Sequence, residues 1–313
     1  MFRKNLFITK VILVCILSLM FMTQITYHCY ASTKKVQKAN ALMEAGQYYD
    51  SFKIISKIKE GKKGYKEAQE LLVELKKKAF PYYEGEINEK VNEKEYIEAV
   101  KIAEEAILII PENEQVKKIV DNAKNLLFKS TMTEVNNLYK EKKYEDAMIK
   151  LKEIRGFFPE SEELNKKISL VQFRIDNKEM GTVVNTKKYE LTVLSAKVRN
   201  IVGGEFFEET PGKGAIFIIV KYRYKNITDE PIGIFSLPSL ELKDLKGTTY
   251  DADNNASIAY AMEIDAEVAD FDSLNPGITN EEYEVFKIPQ ERWKKKGWSA
   301  VVKADKYVGY ILK

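Results

Sequence analysis

Imidazole and thiol chemistry are confined to the start of this chain. Its single histidine, His28, and both cysteines, Cys15 and Cys29, precede Ser32, so residues 32–313 carry neither side chain. No Ser–His or Cys–His pair, no disulfide and no His-ligated zinc site can be assembled from them. Carboxylates, lysines and hydroxyls remain. Adjacent acids at Glu104–Glu105, Glu208–Glu209 and Glu281–Glu282 suggest glycoside hydrolysis in composition alone. That reaction needs two carboxyls on opposite sides of the scissile bond, and sequence neighbours read as solvated surface. Asp251, Asp253, Asn254 and Asn255 offer the oxygen ligands calcium takes. However, Ala256 stands where a calcium loop needs glycine, and Met262 where it needs a bidentate acid. An ordinary polar loop is the expectation there.

The other conspicuous clusters point to turns. Gly203–Gly204 and Pro211–Gly212–Lys213–Gly214 bracket Glu205, Glu208 and Glu209. A phosphate cradle needs instead a glycine loop opening a helix with converging amides. Lys294–Lys295–Lys296 lies between Trp293 and Trp298 and reads as a solvated turn with the indoles packed inward. Asn226–Ile227–Thr228 fits the glycosylation acceptor pattern, to which little meaning is attached. No catalytic, cofactor-binding or metal-binding residue is assigned, and the expectation is a protein that is not an enzyme.

The chain has 50 basic and 47 acidic residues among 313. Arg3, Lys4 and Lys10 are the only charged side chains before Ser32, so the remainder is neutral. A neutral body offers no electrostatic case for nucleic acid. Those three cations precede an apolar run from Val11 to Leu17 that continues through Leu19 to Met22, then polar Thr23, Gln24 and Thr26, then Ala31–Ser32. The order of positive start, short apolar centre and small-residue exit marks a secretory signal over residues 1–31. An uncleaved anchor reaching Tyr30 is the alternative, although the run is short beside the roughly 20 residues a span requires. Either outcome puts the bulk of the chain outside the cytoplasm, with membrane contact only through that segment.

The elements that position the remaining side chains follow two textures. From residue 32 to 178 a repeat governs: Tyr48, Tyr96 and Tyr144 are spaced by 48, and Pro111 and Pro159 keep the same interval. Each tyrosine stands between a long amphipathic pattern and a shorter one, with Ser51, Ala99 and Ala147 three residues on. Apolar residues recur at three and four, which predicts helix pairs. The small residue lets the two helices approach, the tyrosine wedges the turn, and Pro111 and Pro159 close the second helix. These residues, with Ala103, Ala106, Leu151 and Ile154, resemble the tetratricopeptide repeat family. The resemblance implies an antiparallel helix-pair solenoid that binds proteins or peptides. The interval exceeds the family's usual 34, with the excess assigned to the first helix of each pair.

Residues 179–187 break the helical pattern and read as a linker. From 188 to 313 the period becomes two: Ile216, Ile218, Val220, Tyr222 and Tyr224 alternate with Phe217, Ile219, Lys221 and Arg223. Further strands are predicted at 189–198, 239–243, 282–288, 299–303 and 307–312, with turns at Gly247 and Asn275–Pro276–Gly277. Such spacing predicts an antiparallel β-sandwich. Asp244, Gly247, Pro276, Gly277, Phe286 and Pro289 resemble the corner and core positions of a large family of immunoglobulin-like domains found in exported Gram-positive proteins. Their fold is similar to that of the mycobacterial immunoprotective extracellular antigen. The resemblance implies a fold and transfers no catalytic residue. The functional expectation is a cell-envelope protein–protein interaction module. Small-molecule, glycan or lipid recognition by the sandwich, through Phe206–Phe207, is the alternative.

Overall fold

A computed structural model describes residues 33–204, 207–265 and 273–313. The leader and Phe206 therefore lie outside the described residues. A helical N-terminal region precedes a C-terminal β region. The helices run in pairs: α1 (Lys34–Glu44) with α2 (Tyr48–Ile55), α3 (Tyr65–Asn92) with α4 (Tyr96–Ile109), and α5 (Glu114–Lys140) with α6 (Tyr144–Ile154). A further helix, α7 (Glu162–Asp176), follows. The chain forms two compact units that divide at Thr131 and Met132, inside α5.

Tyr48, Tyr96 and Tyr144 each open the second helix of a pair. Two residues earlier, Gly46, Lys94 and Lys142 are all left-handed, with φ of 76°, 62° and 60°. The same hydrogen bond closes each turn at 2.9 Å: the amides of Gln47, Glu95 and Lys143 donate to the carbonyls of Leu42, Lys90 and Leu138. Reaching back five residues in this way satisfies carbonyls that a helix end leaves open. The 48-residue register extends into the packing. Ser51, Ala99 and Ala147 are wholly buried, as are Ala39, Ile87 and Val135 on the preceding helices. Ser51 avoids an unmet hydroxyl by donating to the Ala39 carbonyl at 2.8 Å. At the far ends, Ile110 and Phe158 adopt nearly identical non-helical conformations just before Pro111 and Pro159, with φ/ψ of −130°/58° and −134°/55°.

The β region begins before residue 188. Helix α7 runs directly into β1 (Asn177–Glu179), which pairs in parallel with β11 (Val308–Ile311). The segment read as a linker holds the end of β1, a turn at left-handed Gly181, and β2 (Val184–Asn185). Five strands form one sheet in the order β1, β11, β10 (Ser299–Lys303), β6 (Ser239–Lys243) and β7 (Thr249–Asp251). A second sheet has the order β2, β3 (Tyr189–Arg199), β4 (Ala215–Asn226) and β9 (Thr279–Pro289). Short strands β5 (Ile232–Gly233) and β8 (Ser273–Leu274) pair separately. The two larger sheets share one core, in which Ile218, Val220, Tyr222 and Phe286 from one meet Leu242, Trp298, Ala300 and Tyr310 from the other. This region is β-sandwich-like.

Helix α8 (Asn254–Glu263) replaces the expected polar loop. Asp253 caps it by accepting the Ala256 amide at 3.1 Å, while Asp251 belongs to β7. The four oxygen-bearing residues are thus split between strand, cap and helix, and among the described residues no three acids gather as a metal cluster. Ala256, Ala259 and Tyr260 of α8 bury Phe217, Ile219 and Val285 on the outer face of the second sheet. Asn226, which fits the glycosylation acceptor pattern, is wholly buried. Its side-chain amide donates to the carbonyls of Glu230 and Leu274, both at 2.8 Å, and its oxygen accepts from the Thr228 amide and hydroxyl.

Two stability outcomes follow from these turns. Lysine in the left-handed region costs about 1 kcal/mol relative to glycine. Lys94→Gly and Lys142→Gly should therefore each raise stability by up to about 1 kcal/mol in denaturant titrations, while Gly46→Ala lowers it. Asn226→Asp places a carboxylate against two carbonyl oxygens. It should cost about 3 kcal/mol at pH 8 and recover part of that at pH 5, where the acid protonates and can donate.

Candidate functional site

The interior face of β9 carries polar residues along half its length. Asn280, Glu282 and Glu284 alternate onto the same face as Phe286 and Ile288, and lie opposite Tyr224, Tyr222 and Val220 of β4. Strand period two imposes this, since every second side chain shares a face. Tyr222 and Tyr224 are buried, so their hydroxyls must find partners. The Tyr222 hydroxyl lies 2.8 Å from Glu282 Oε2, 3.1 Å from Glu284 Oε1 and 3.1 Å from the Pro238 carbonyl. The Tyr224 hydroxyl bonds to Glu282 Oε1, and Asn280 Nδ2 donates to both of those oxygens at 2.7 and 2.8 Å. Glu284 Oε1 also accepts the Leu240 amide at 3.0 Å.

One phenolic proton thus faces three acceptor oxygens. Burial pushes Glu284 up to about 7, opposed by the Leu240 amide and the Tyr222 hydroxyl and reinforced by the charge of Glu282. Burial, with Glu284 and Glu282 beside it, holds the Tyr222 phenol well above its ordinary value. A carboxyl that titrates near neutrality can exchange a proton at physiological pH. Here its contacts run to the protein's own interior, tying β9 to the segment leading into β6.

The Glu281–Glu282 pair, expected as solvated surface, is split by the pleat. Glu281 faces outward to Lys221 and Arg223, and Glu282 faces the tyrosines. The buried network was missed because Glu284 stands apart from any acidic pair. Its alternation with Phe286 and Ile288 was the available signal.

The sequence-singled residues are placed as corners, turns and contacts. Asp244 Oδ1 accepts the amides of Lys246 and Thr248, both at 3.0 Å, around left-handed Gly247 in the β6–β7 turn. Pro276 precedes left-handed Gly277, whose amide donates to the Asn226 carbonyl at 2.9 Å. Phe286 is wholly buried, and Pro289 ends β9 before the short helix α9 (Gln290–Trp293). Trp298 is wholly buried and packs on Trp293 at 5.1 Å, while Lys294, Lys295 and Lys296 are exposed. The structure does not bring these residues together into one site. Two grooves do occur in the helical region, between α1 and α2 and at the end of α2, with volumes of about 700 and 530 Å³. Lysines dominate the lining of both.

The Glu284 environment has a measurable consequence. The folded state holds this proton up to about pH 7, whereas a free glutamic acid releases it near 4.5. Between those values the folded chain binds more protons than the unfolded one, so stability falls as pH rises. The loss is complete above pH 7 and amounts to about 3 kcal/mol. Glu284→Gln keeps an acceptor for the Leu240 amide and adds a permanent donor. In urea titrations the variant should match the native chain at pH 4.5 and exceed its stability by about 2 to 3 kcal/mol at pH 8.

No family model matches the chain. Among solved structures, it is similar to a conserved hypothetical protein from Bacillus anthracis, at 29% identity and a TM-score of 0.39 over 43% of this chain and 94% of that one. It is also similar to an uncharacterized β-sandwich protein from Clostridium difficile 630, at 16% identity and a TM-score of 0.31 over 44% and 96%. Over 120 residues the chain is 35% identical to the uncharacterized protein YxkC of Bacillus subtilis (strain 168), a stretch covering 38% of this chain and 67% of YxkC. On that match, the chain belongs to the family of the Bacillus subtilis YxkC protein.

Proposed function

We propose that the chain is an exported, non-catalytic binding protein whose helical region takes a partner protein or peptide. The observation that carries this reading is the thrice-repeated turn: left-handed Gly46, Lys94 and Lys142, each followed by a tyrosine-led helix with a buried small residue. In this reading the pairs are tetratricopeptide-like repeats with a lengthened first helix, and the sandwich is an immunoglobulin-like domain. Repeats of that kind present extended surfaces to extended ligands. The helices also hold apolar side chains out to solvent, among them Val73 on α3, Leu108 on α4 and Ile149 on α6, each more than half exposed. Export rests on the leader pattern of residues 1–31.

A second reading gives binding to the sandwich, where Phe207 and the fully solvated Phe235 supply apolar contacts for a glycan, lipid or small molecule.

The two readings separate on exposed substitutions, which leave the cores untouched. A Val73→Ser, Leu108→Ser, Ile149→Ser variant should melt within a few degrees of the native chain and lose the partner that native protein captures from envelope extracts. Unchanged capture by that variant, with loss on Phe207→Ser, Phe235→Ser, would transfer binding to the sandwich. No saturable partner for any form would remove the helical reading.

A further inference from the structure

Charge is unevenly distributed along the chain. Residues 33–64, spanning α1, α2 and the turn after them, hold eight lysines against three acids. Residues 65–313 hold 39 basic and 44 acidic side chains. Elsewhere in the helical region several lysines are neutralised locally: Lys76, Lys90, Lys117 and Lys124 lie 2.6 to 3.1 Å from glutamate oxygens. In α1–α2 only Lys53 is paired, with Asp50 at 2.6 Å. Lys34, Lys35, Lys38 and Lys57 join no ion pair among the described residues, nor do Lys59, Lys62 and Lys63.

These cations share one continuous surface. The larger groove is lined by Lys34, Lys35, Lys38, Lys53 and Lys57, with Leu42 and Ile54 between them. The second shares Lys34, Lys35 and Lys57 with it and adds Lys59, Lys62, Lys63 and Ile58. Eight ammonium groups, all but that of Lys53 outside any ion pair among the described residues, therefore crowd two adjoining grooves with Asp50 as the only acid in the lining. Apart from the Lys53–Asp50 contact, no ion pair among the described residues offsets their mutual repulsion, so an anionic surface gains from the unpaired ones. The apolar stems and the leucine and isoleucine side chains suit a headgroup layer, where lysine buries its methylenes and presents its charge to phosphate.

We propose that this lysine face docks on a bilayer surface containing anionic phospholipid. Its place in the sequence favours a membrane over a soluble acidic partner. Lys34 stands 12 residues beyond Met22, where the apolar run from Val11 ends. A polybasic cluster next to such a run is held at the headgroups if the run is retained. If the run is removed, the lysines alone supply reversible attachment, each contributing a share of the binding that fades with salt.

The test is flotation of the full-length chain with phosphatidylcholine vesicles, with and without phosphatidylglycerol as one lipid in three. The apolar run is common to every form, so the preference for anionic over neutral vesicles isolates the lysines. Lys34→Gln, Lys35→Gln, Lys38→Gln, Lys57→Gln alters only exposed side chains and should keep the native melting temperature. It should reduce the anionic preference by on the order of 1,000-fold at low salt. A control that removes the same charge from paired lysines, Lys90→Gln, Lys101→Gln, Lys117→Gln, Lys124→Gln, should keep most of it. Equal preference in native and groove variants, or equal loss in groove and control variants, would overturn the proposal. Saturable binding of polyglutamate or inorganic polyphosphate by the native chain, without preference for anionic vesicles, would also overturn it and reassign the grooves to a soluble polyanion.

Discussion

The β region depends on strand β4 being covered on both faces. Its 12 residues pair along nearly their whole length with β3 on one side and β9 on the other. Ile216, Ile218, Val220, Tyr222 and Tyr224 enter the core between the sheets, while Phe217 and Ile219 would be left in water on the opposite face. Exposing those two would forfeit a few kcal/mol of apolar burial. Helix α8 covers them, and Asp253 starts it at the point where the chain leaves β7. The same strand accounts for the polar network. Burying two tyrosines creates an obligation to satisfy their hydroxyls, which β9 meets with Asn280, Glu282 and Glu284. The displaced proton affinity of Glu284 is a consequence of what β4 buries.

The helical region solves a different problem, that of repeating one helix pair with little sequence in common. What recurs is backbone conformation and side-chain volume. Gly46 becomes Lys94 and then Lys142 at the left-handed position, and Ser51 becomes alanine at the contact. Lysine is tolerated there because the turn hydrogen bonds and the packing of the following helix outweigh a strain of about 1 kcal/mol. The long α3 and α5, of 28 and 27 residues, account for an interval of 48. Their surfaces carry several lysine–glutamate contacts, individually weak in water but enough to pair off part of their charge. The contrast with α1–α2 therefore lies in local charge balance rather than in lysine content alone.

Much of this was legible in the residues. Strands 239–243 and 299–303 were read at their observed limits because Leu240 and Leu242 alternate with polar Ser239, Glu241 and Lys243, and because β-branched Val301 and Val302 favour extended backbone. The helix pairs were legible because a period of 48 amplifies each weak local signal. Three features were hidden. Helix α8 begins Asn254–Asn255–Ala256–Ser257, whose polar residues suit a loop as well as a capped first turn. The apolar outer residues of β4 implied a cover without locating it. Asn226 matched a surface pattern because a tripeptide says nothing of burial, which long-range carbonyls from Leu274 decide. Glu284 was hidden for a similar reason, since its perturbation arises from β4 and β6 neighbours more than 40 residues away.

A carboxyl that titrates near neutrality is often taken as a mark of catalysis, because reactive acids need such tuning. Glu284 shows why the inference needs geometry as well. Its Oε1 is already shared by the Leu240 amide and the Tyr222 hydroxyl, and both contacts join strands rather than address a ligand. A general acid must instead reach an atom of its substrate. The lysines of α1–α2 present the reverse case. Except for Lys53, their charges join no ion pair among the described residues, and they line open grooves rather than a shared core. In a chain whose histidine and cysteines are confined to the first 31 residues, the side chains most available for chemistry are those the fold leaves unsatisfied. In the described helices that condition is met most fully where α1 and α2 meet.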